Sequence, residues 1–389
     1  MLNGEIPRLN RTGKPHVCFI SESESTFALL TGEECNKVGG AEVQQTLLAS
    51  NLAKLGYPVS FLVPDFGQPA EITTEEGIVL VKIRPQSGRL IGLRFLDEIR
   101  RFFQAMNRAN ADVYYQRAGS PVTGIAALYC RLKGKPLVFS LASNMDLDGT
   151  WKTGLRPHYY KLFQYGVKHA TVIVTQTDDQ TALLRRNMHR EGVLIRSTFA
   201  RPPSSVRSAN SRYILWVGNF WGVKRPAMFL ELATRMPQYQ FMMVGGAHSG
   251  EEHIFEEVSA DARSIPNLQL TGAVPYSEVG KYFDGALVFV NTSSKEGFPN
   301  TYLQAWCRGI PVIATFDADG LIARYGLGRH CANLDELAAG VDELMRDDRL
   351  RTKTGERAAS YVTDHHSPEV VTAQYDRLFT QLYKGDEPA

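Results

Sequence analysis

The sequence predicts an α/β chain made of two doubly wound Rossmann-like domains, and three observations carry that expectation. From His16 onward, short β-branched runs alternate with amphipathic stretches, the pattern of helices crossing over between parallel strands. The alternation breaks at residues 201–210, RPPSSVRSAN, which have no hydrophobic period, and then starts again. The 389 residues suffice for two domains and are too many for one small module.

Taken in order, strands are expected at 17–20, 59–63, 79–83, 113–116, 137–140 and 171–174, with a short run at 193–195. Between the first two, Val43, Leu47, Leu48, Leu52 and Leu55 recur at helical spacing, which predicts a helix over 41–55 with Gly56 as its C-cap. These elements form an N-terminal domain, 1–200, followed by a linker, 201–211. A second domain, 212–366, repeats the pattern with strands at 213–217, 241–244, 268–270, 287–290 and 311–314. The last segment, 367–389, opens with Ser367-Pro368-Glu369, a hydroxyl cap followed by Pro at the first helical position. Its Val371, Tyr375, Leu378 and Leu382 share one face, so the terminal helix needs a partner and is free to return to the first domain.

Composition narrows the function. With 43 Lys and Arg against 41 Asp and Glu, the net charge is +2, which disfavours nucleic-acid binding through bulk charge. The five cysteines, Cys18, Cys35, Cys130, Cys307 and Cys331, form no C-x-x-C pair and fit a reducing, cytoplasmic setting. No apolar run approaches the roughly 18 residues of a membrane span, and residues 1–14 lack the apolar core of a signal peptide.

In open parallel sheets, ligands bind beyond the carboxyl ends of the strands. Three segments there could carry chemistry. In the first, Gly39 and Gly40 precede a helix, where bare amides and the positive helix end can approach a phosphate, or simply make a turn. In the second, a strand ends at Gly218-Asn219 and Lys224-Arg225-Pro226 begins a helix; Lys224 can reach a diphosphate or be an ordinary solvated lysine. The third and densest runs from Ser293 to Trp306, where Glu296, Gly297, Phe298, Pro299, Asn300 and Thr301 lead into a helix carrying Gln304. Its free amides suit an anion and Glu296 suits sugar hydroxyls. There is no G-x-G-x-x-G, which places a Rossmann oxidoreductase last.

In this order and at these separations, the three segments resemble the family 4 (group 1) retaining glycosyltransferases of the GT-B fold. The first is similar to that family's Gly-Gly-Ala-Glu phosphate loop and the second to its Gly-Arg-x-x-x-x-Lys segment. The third is similar to its acid, seven residues, acid signature. Residues 171–186 and the turn at Thr271-Gly272-Ala273-Val274-Pro275, similar to the family's base-binding turn, support the match. Three positions depart from it: Asn219 stands where the family usually has Arg, Gln304 replaces the second acid, and residues 141–146 lack the His often found near the reacting sugar.

The resemblance implies two domains facing across a cleft, the donor held by the second and the acceptor by the first. A nucleotide-diphospho-sugar, of UDP or GDP type, would transfer its sugar with retention to a glycan, lipid-linked or small-molecule acceptor. Gly39, Gly40, Gly218, Asn219, Lys224, Arg225, Gly272, Ala273, Val274 and residues 296–301 with Gln304 would line the donor site. Lys224 would meet the negative charge growing on the diphosphate, and Glu296 would position the donor sugar. The leaving phosphate serves as the base, so neither cofactor nor metal is expected.

On the acceptor side, Arg117 follows a strand and reads as a ligand contact or a structural ion pair. Asn144 and Asp146 read as acceptor contacts or as a capped loop. Asp146-Leu147-Asp148 looks like a manganese motif, but the same spacing recurs at Asp317-Ala318-Asp319, and no metal is expected at either. Residues 89–110 interleave Arg89, Arg94, Arg100, Arg101 and Arg108 with Leu90, Leu93, Phe95, Leu96, Ile99, Phe102 and Phe103. Such a basic amphipathic stretch can touch an anionic membrane surface, although packing on its own sheet is the favoured expectation. The competing readings are a weakened sugar-nucleotide-binding subunit acting with a partner, motivated by Asn219 and Gln304, and a sugar-nucleotide epimerase, whose acid–base pair is not evident.

Overall fold

A computed structural model describes residues 13–35, 38–85, 94–199 and 213–386. The expected linker, 201–211, and Arg89, Leu90 and Leu93 lie outside the described residues. The chain forms two compact units: residues 1–33, 38–196 and 368–389 make the first, and 34–37 with 197–367 the second.

The first unit holds an eight-stranded sheet. Its strands are β1 (Val17–Ile20), β2 (Val59–Val63), β3 (Glu71–Thr73), β4 (Val79–Lys82), β5 (Val113–Arg117), β6 (Leu137–Ser140), β7 (Val172–Thr175) and β8 (Val193–Leu194). Their spatial order is β3-β4-β2-β1-β5-β6-β7-β8, and all pairs are parallel except β3 against β4. The expected strands are present in this sheet. β3 escapes sequence reading because it is three residues long and largely exposed, an edge strand that exists only by pairing with β4.

Parallel strands are buried on both faces, and β1, β2 and β5 are buried throughout. On one face Phe102, Met106, Tyr114 and Phe139 form a core. On the other, Phe19 stacks on Phe61 with centroids 4.8 Å apart, beside Tyr115. Onto this second face the terminal helix Pro368–Lys384 lays Val371, Tyr375, Leu378 and Phe379, all buried. The apolar stripe expected in that helix therefore returns to the first domain's sheet. Lys14 pairs with Asp376 at 2.5 Å and Tyr57 donates to the same carboxylate, pinning the helix at its polar edge.

The second unit holds a six-stranded, all-parallel sheet: β9 (Tyr213–Val217), β10 (Gln240–Val244), β11 (Leu268–Leu270), β12 (Ala286–Asn291), β13 (Val312–Ala314) and β14 (Gly328–His330). The order is β11-β10-β9-β12-β13-β14, the 3-2-1-4-5-6 order of a doubly wound domain. β14 is short and polar and so unmarked in the sequence; pairing with β13 makes it a strand. Taking the parallel strands β4-β2-β1-β5-β6-β7 alone, the first sheet has the same order. Each sheet thus has a topological switch point, between β1 and β5 in the first and between β9 and β12 in the second.

His366 ties together the two places where the chain leaves the second unit. Its carbonyl accepts from Thr198 Oγ1 at 3.1 Å and from the Phe199 amide at 3.0 Å, while its Nδ1 lies 2.7 Å from the Ser197 carbonyl. The ring packs against Phe298, 5.0 Å between centroids.

Candidate functional site

At the switch point of the second sheet, the loops after β9 and β12 are joined. Ser294 donates its amide to the Val223 carbonyl at 2.8 Å. Thr292 Oγ1 donates to the Lys224 carbonyl at 2.6 Å and accepts from the Trp216 indole at 3.0 Å. Residues 222–224 form one tight turn, and Arg225 takes a left-handed φ of +47° to start the helix Pro226–Arg235. This local geometry brings Lys224 onto Glu296.

The Lys224 ammonium bonds Glu296 Oε1, which also accepts from Ser293 Oγ at 2.6 Å. The two side chains are 24% and 13% exposed, so the pair is shielded from water but not sealed. An ammonium carries three N–H donors, and this contact uses one. The residues given catalytic roles from the sequence are therefore one ion pair at the strand ends where ligands of such sheets bind.

Arg225 sits beside them but is committed to the loops. Its Nε donates to the Thr292 carbonyl at 2.7 Å and its Nη2 to Thr315 Oγ1 at 2.6 Å and the Ser293 carbonyl at 3.3 Å. Expected to line the donor site, Arg225 directs these donors to the loops after β12 and β13.

Glu296 is half-buried, whereas Gly297, Phe298 and Pro299 are buried. The Phe298 ring belongs to the core against Trp306, so toward a ligand this residue offers backbone rather than ring. Asn300 and Thr301 are half-buried at the start of the helix Asn300–Trp306, and Gln304 is 6% exposed.

The third wall is backbone. Gly218 donates to the Val244 carbonyl at 3.1 Å and Gly245 to the Gly272 carbonyl at 3.1 Å. Gly245 has φ +151°, and a Cβ there would lie 1.8 Å from the Gly218 oxygen; one on Gly246 would meet the Ala273 Cβ at 2.7 Å. Only glycine lets these three loops close together. Gly245 and Gly246 were missed from the sequence, although two glycines directly after the strand β10 were a readable signal. Asn219 is half-buried beside them, with Ala273 exposed and Val274 half-buried. Trp221 stacks on His248 at 4.8 Å where this rim ends.

In the first unit, Gly39 caps the helix Gly40–Lys54, one residue earlier than the sequence suggests. Arg117 ends β5, is 7% exposed and donates to Ser140 Oγ at 3.2 Å. Asn144 opens a tight turn capped by Ser143, and its buried Oδ1 has no hydrogen-bond partner among the described residues.

Asp146 follows the capped-loop alternative of its two expected readings. It is 3% exposed, and its carboxylate accepts from the amides of Gly119, Ala142 and Ser143 and from the Trp151 indole. Burial pushes its carboxyl above the usual carboxylate range, and those four donors work against that shift. It organises the loop. Asp148 likewise accepts from Thr150 and Asp317 caps Ile322 and Ala323. Among the described residues no group of three or more His, Cys, Asp or Glu is placed to hold a metal.

The helix Arg94–Ala109 buries Phe102, Ala105, Met106 and Ala109, as expected for packing on its own sheet. Arg101 and Arg108 are tied to carbonyls of Arg84 and Lys82, while Leu96 remains 60% exposed. No helix among the described residues is long and apolar enough to cross a membrane.

Comparison with known proteins agrees with this geometry. Residues 200–361 match the family described as glycosyl transferases group 1, and residues 39–196 match the glycosyl transferase 4-like domain. The chain is 25% identical over 179 residues to a lipopolysaccharide core biosynthesis glycosyltransferase of Rhizobium meliloti, covering 44% of this chain and 50% of that one. It is 26% identical over 174 residues to an N,N'-diacetylbacillosaminyl-diphospho-undecaprenol alpha-1,3-N-acetylgalactosaminyltransferase of Campylobacter jejuni, 42% of each chain. The chain thus spans about half the length of the relatives it matches.

Among solved structures, sucrose-phosphate synthase from Thermosynechococcus elongatus superposes with a TM-score of 0.78 at 17% identity, covering 96% of this chain and 100% of that one. Anabaena HepE in complex with UDP and glucose gives 0.74 at 14%, covering 94% and 99%. Both the strand order of each sheet and the matched segments lead to one family: the chain belongs to the group 1 glycosyltransferases of the GT-B fold.

Proposed function

We propose that this chain is a retaining glycosyltransferase that moves a sugar from a nucleotide-diphospho-sugar, of UDP or GDP type, to a glycan, lipid-linked or small-molecule acceptor. The observation that carries this reading is the Lys224–Glu296 pair at the switch point of the second sheet. As the glycosidic bond breaks, negative charge grows on the leaving diphosphate, and a fixed ammonium with donors to spare lowers that barrier. Glu296, held by Ser293, accepts hydrogen bonds from donor-sugar hydroxyls, and Gln304 can bond ribose hydroxyls without charge assistance. Gly218, Gly272 and the amides near Asn300 complete the cradle.

The reaction needs no protein base in this scheme, because the leaving phosphate takes the acceptor's proton. It needs no metal, because the ammonium and amides supply the positive field. Peripheral contact with an anionic membrane belongs to the same reading, with Arg94, Leu96 and Arg100 as its exposed groups. Co-sedimentation with phosphatidylglycerol vesicles that is abolished by Arg94→Glu with Arg100→Glu supports it; absence of binding removes it.

The test of the main reading is a thermal-shift panel with UDP, GDP, ADP and dTDP in EDTA. A nucleotide at one hundred times its dissociation constant stabilises by about 2.7 kcal/mol, or roughly 5–10 °C for a unit of this size. The expected result is a shift with UDP or GDP, and release of that nucleotide from its sugar conjugate when acceptor is added. No shift with any of the four, from folded protein, moves the reading to a degenerate subunit that acts with a partner.

A further inference from the structure

The turn that carries Lys224 is held from two sides. On one, the loop after β12 grips it through Ser294 and Thr292. On the other lie residues 245–251, between β10 and the helix Glu252–Ala262. Glu251 and His248 in this stretch belong neither to the ion pair nor to the glycine wall.

Burial alternates along the approach to the turn. Phe220 is fully buried, its ring centroid 5.0 Å from that of Phe255 and 5.3 Å from that of Trp216. Its amide donates to the Gly246 carbonyl at 2.9 Å, and a parallel bridge joins it to Ala247. With Phe220 fixed inward, the next side chain is left at the rim, where Trp221 lies flat on His248, 4.8 Å between centroids and 18° between planes. The Gly222 amide then donates to Glu251 Oε2 at 2.7 Å. A backbone bond, a ring stack and a carboxylate thus catch residues 220, 221 and 222 in succession on one neighbouring loop.

Those residues set where the Lys224 side chain starts. The turn closes when the Lys224 amide donates to the Trp221 carbonyl at 2.8 Å and the Arg225 amide to the Gly222 carbonyl at 3.1 Å. Any shift of Trp221 or Gly222 is therefore carried into the backbone of Lys224. Gly222 opens this one-turn helix, so its amide has no carbonyl within the helix to serve it. Glu251 fills that need with a carboxylate, the stronger kind of acceptor. The consequence for chemistry is large, because a displacement of about 1 Å at an acting group can cost about 100-fold in rate.

We propose that Glu251, together with the Trp221–His248 stack, positions Lys224 for the donor diphosphate. Both act through the turn, so they are positioning residues rather than catalytic ones. The role toward the diphosphate rests on the transferase reading; the hold on the turn does not.

The test uses the full chain and two readouts: hydrogen exchange followed by mass spectrometry over residues 219–226, which needs no ligand, and titration calorimetry with UDP and GDP. In Glu251→Ala, exchange over that segment speeds up about tenfold, and the nucleotide that wild type binds is held about tenfold more weakly. Glu251→Gln keeps an accepting oxygen and restores both. His248→Ala weakens nucleotide binding about threefold, whereas His248→Phe, which keeps a flat ring for Trp221, binds as wild type does. This half-exposed position also covers the case in which Glu251→Ala does not fold. In a Lys224→Met background, Glu251→Ala causes no further loss of affinity, because the group it positions is gone.

Unchanged exchange in both Glu251→Ala and His248→Ala overturns the proposal whatever the nucleotides do. Faster exchange with unchanged nucleotide affinity overturns it while leaving the transferase reading in place. A loss of affinity that recurs at full size in the Lys224→Met background shows general loosening of the unit and overturns it as well. Faster exchange in a protein whose wild type binds neither nucleotide leaves the hold on the turn standing and overturns both its role and the transferase reading.

Discussion

Removing either member of the Lys224–Glu296 pair should affect nucleotide binding in opposite directions. Lys224→Met deletes the ammonium while keeping most of the stem. A charged hydrogen bond to phosphate is worth about 1.5–3 kcal/mol, so UDP or GDP should bind roughly 10- to 100-fold more weakly. Part of that energy is set against the contact with Glu296 in the unliganded protein, since both side chains are partly buried and Glu296 Oε1 also accepts from Ser293.

Glu296→Gln removes this competition. Exposed ion pairs contribute about 0–1 kcal/mol net, and this one is more shielded, so about 1 kcal/mol is released to the ligand. Nucleoside diphosphate then binds up to about five-fold more tightly, although sugar transfer falls because a positioning carboxylate is lost. Isothermal titration of wild type, both single variants and the double variant with UDP and GDP reads these terms directly. The cycle should show coupling, with the double variant resembling Lys224→Met. Nucleotide affinity unchanged in Lys224→Met refutes the reasoning, and affinity lowered equally by both substitutions refutes the competition.

Gly245→Ala places a methyl 1.8 Å from the Gly218 oxygen at a left-handed φ, so it should cost more than about 3 kcal/mol or abolish nucleotide binding; a variant with unchanged melting temperature and UDP affinity contradicts the backbone wall. Asp146→Asn turns an amide NH₂ toward backbone donors and should destabilise by about 2–3 kcal/mol in urea denaturation, whereas a purely acceptor-binding Asp146 would leave stability unchanged. His16, bonded to Ser60 Oγ at 2.9 Å, is pushed down to about 4 by burial. Its folded pKa lies below its unfolded value of 6.5, so the unfolded chain takes up the proton first. The stability it contributes is present above pH 6.5, falls as pH drops toward 4, and amounts to at most about 3 kcal/mol. His16→Gln should flatten the pH dependence of the urea midpoint in that window, and an unchanged profile rules His16 out as its source.

The expected strands were legible because each is a short apolar run with a turn after it, a signal carried by adjacent residues. The site segments were legible for a related reason: Gly218 and Lys224 sit in one stretch between a strand and a helix, so spacing along the chain reports spacing in space. Glu296 and Lys224 were each marked, but not as partners. They lie 72 residues apart and meet only because β9 pairs with β12 and Ser294 bonds Val223.

By itself, then, the sequence determined the alternation that makes two doubly wound sheets, the apolar stripe of the terminal helix and the residue types at each strand end. Tertiary structure decided how those residues are used. Arg225 and Lys224 are neighbours, yet a left-handed φ at Arg225 sends one guanidinium into the loops while the ammonium faces Glu296. Asp146 read as an acceptor contact or a capped loop, and four donors closed around its carboxylate decide for the loop. The physical reason is the same in each case. Local propensity and spacing depend on neighbours along the chain, whereas hydrogen-bond supply, burial and charge pairing depend on groups brought together by parallel strands and their long crossovers.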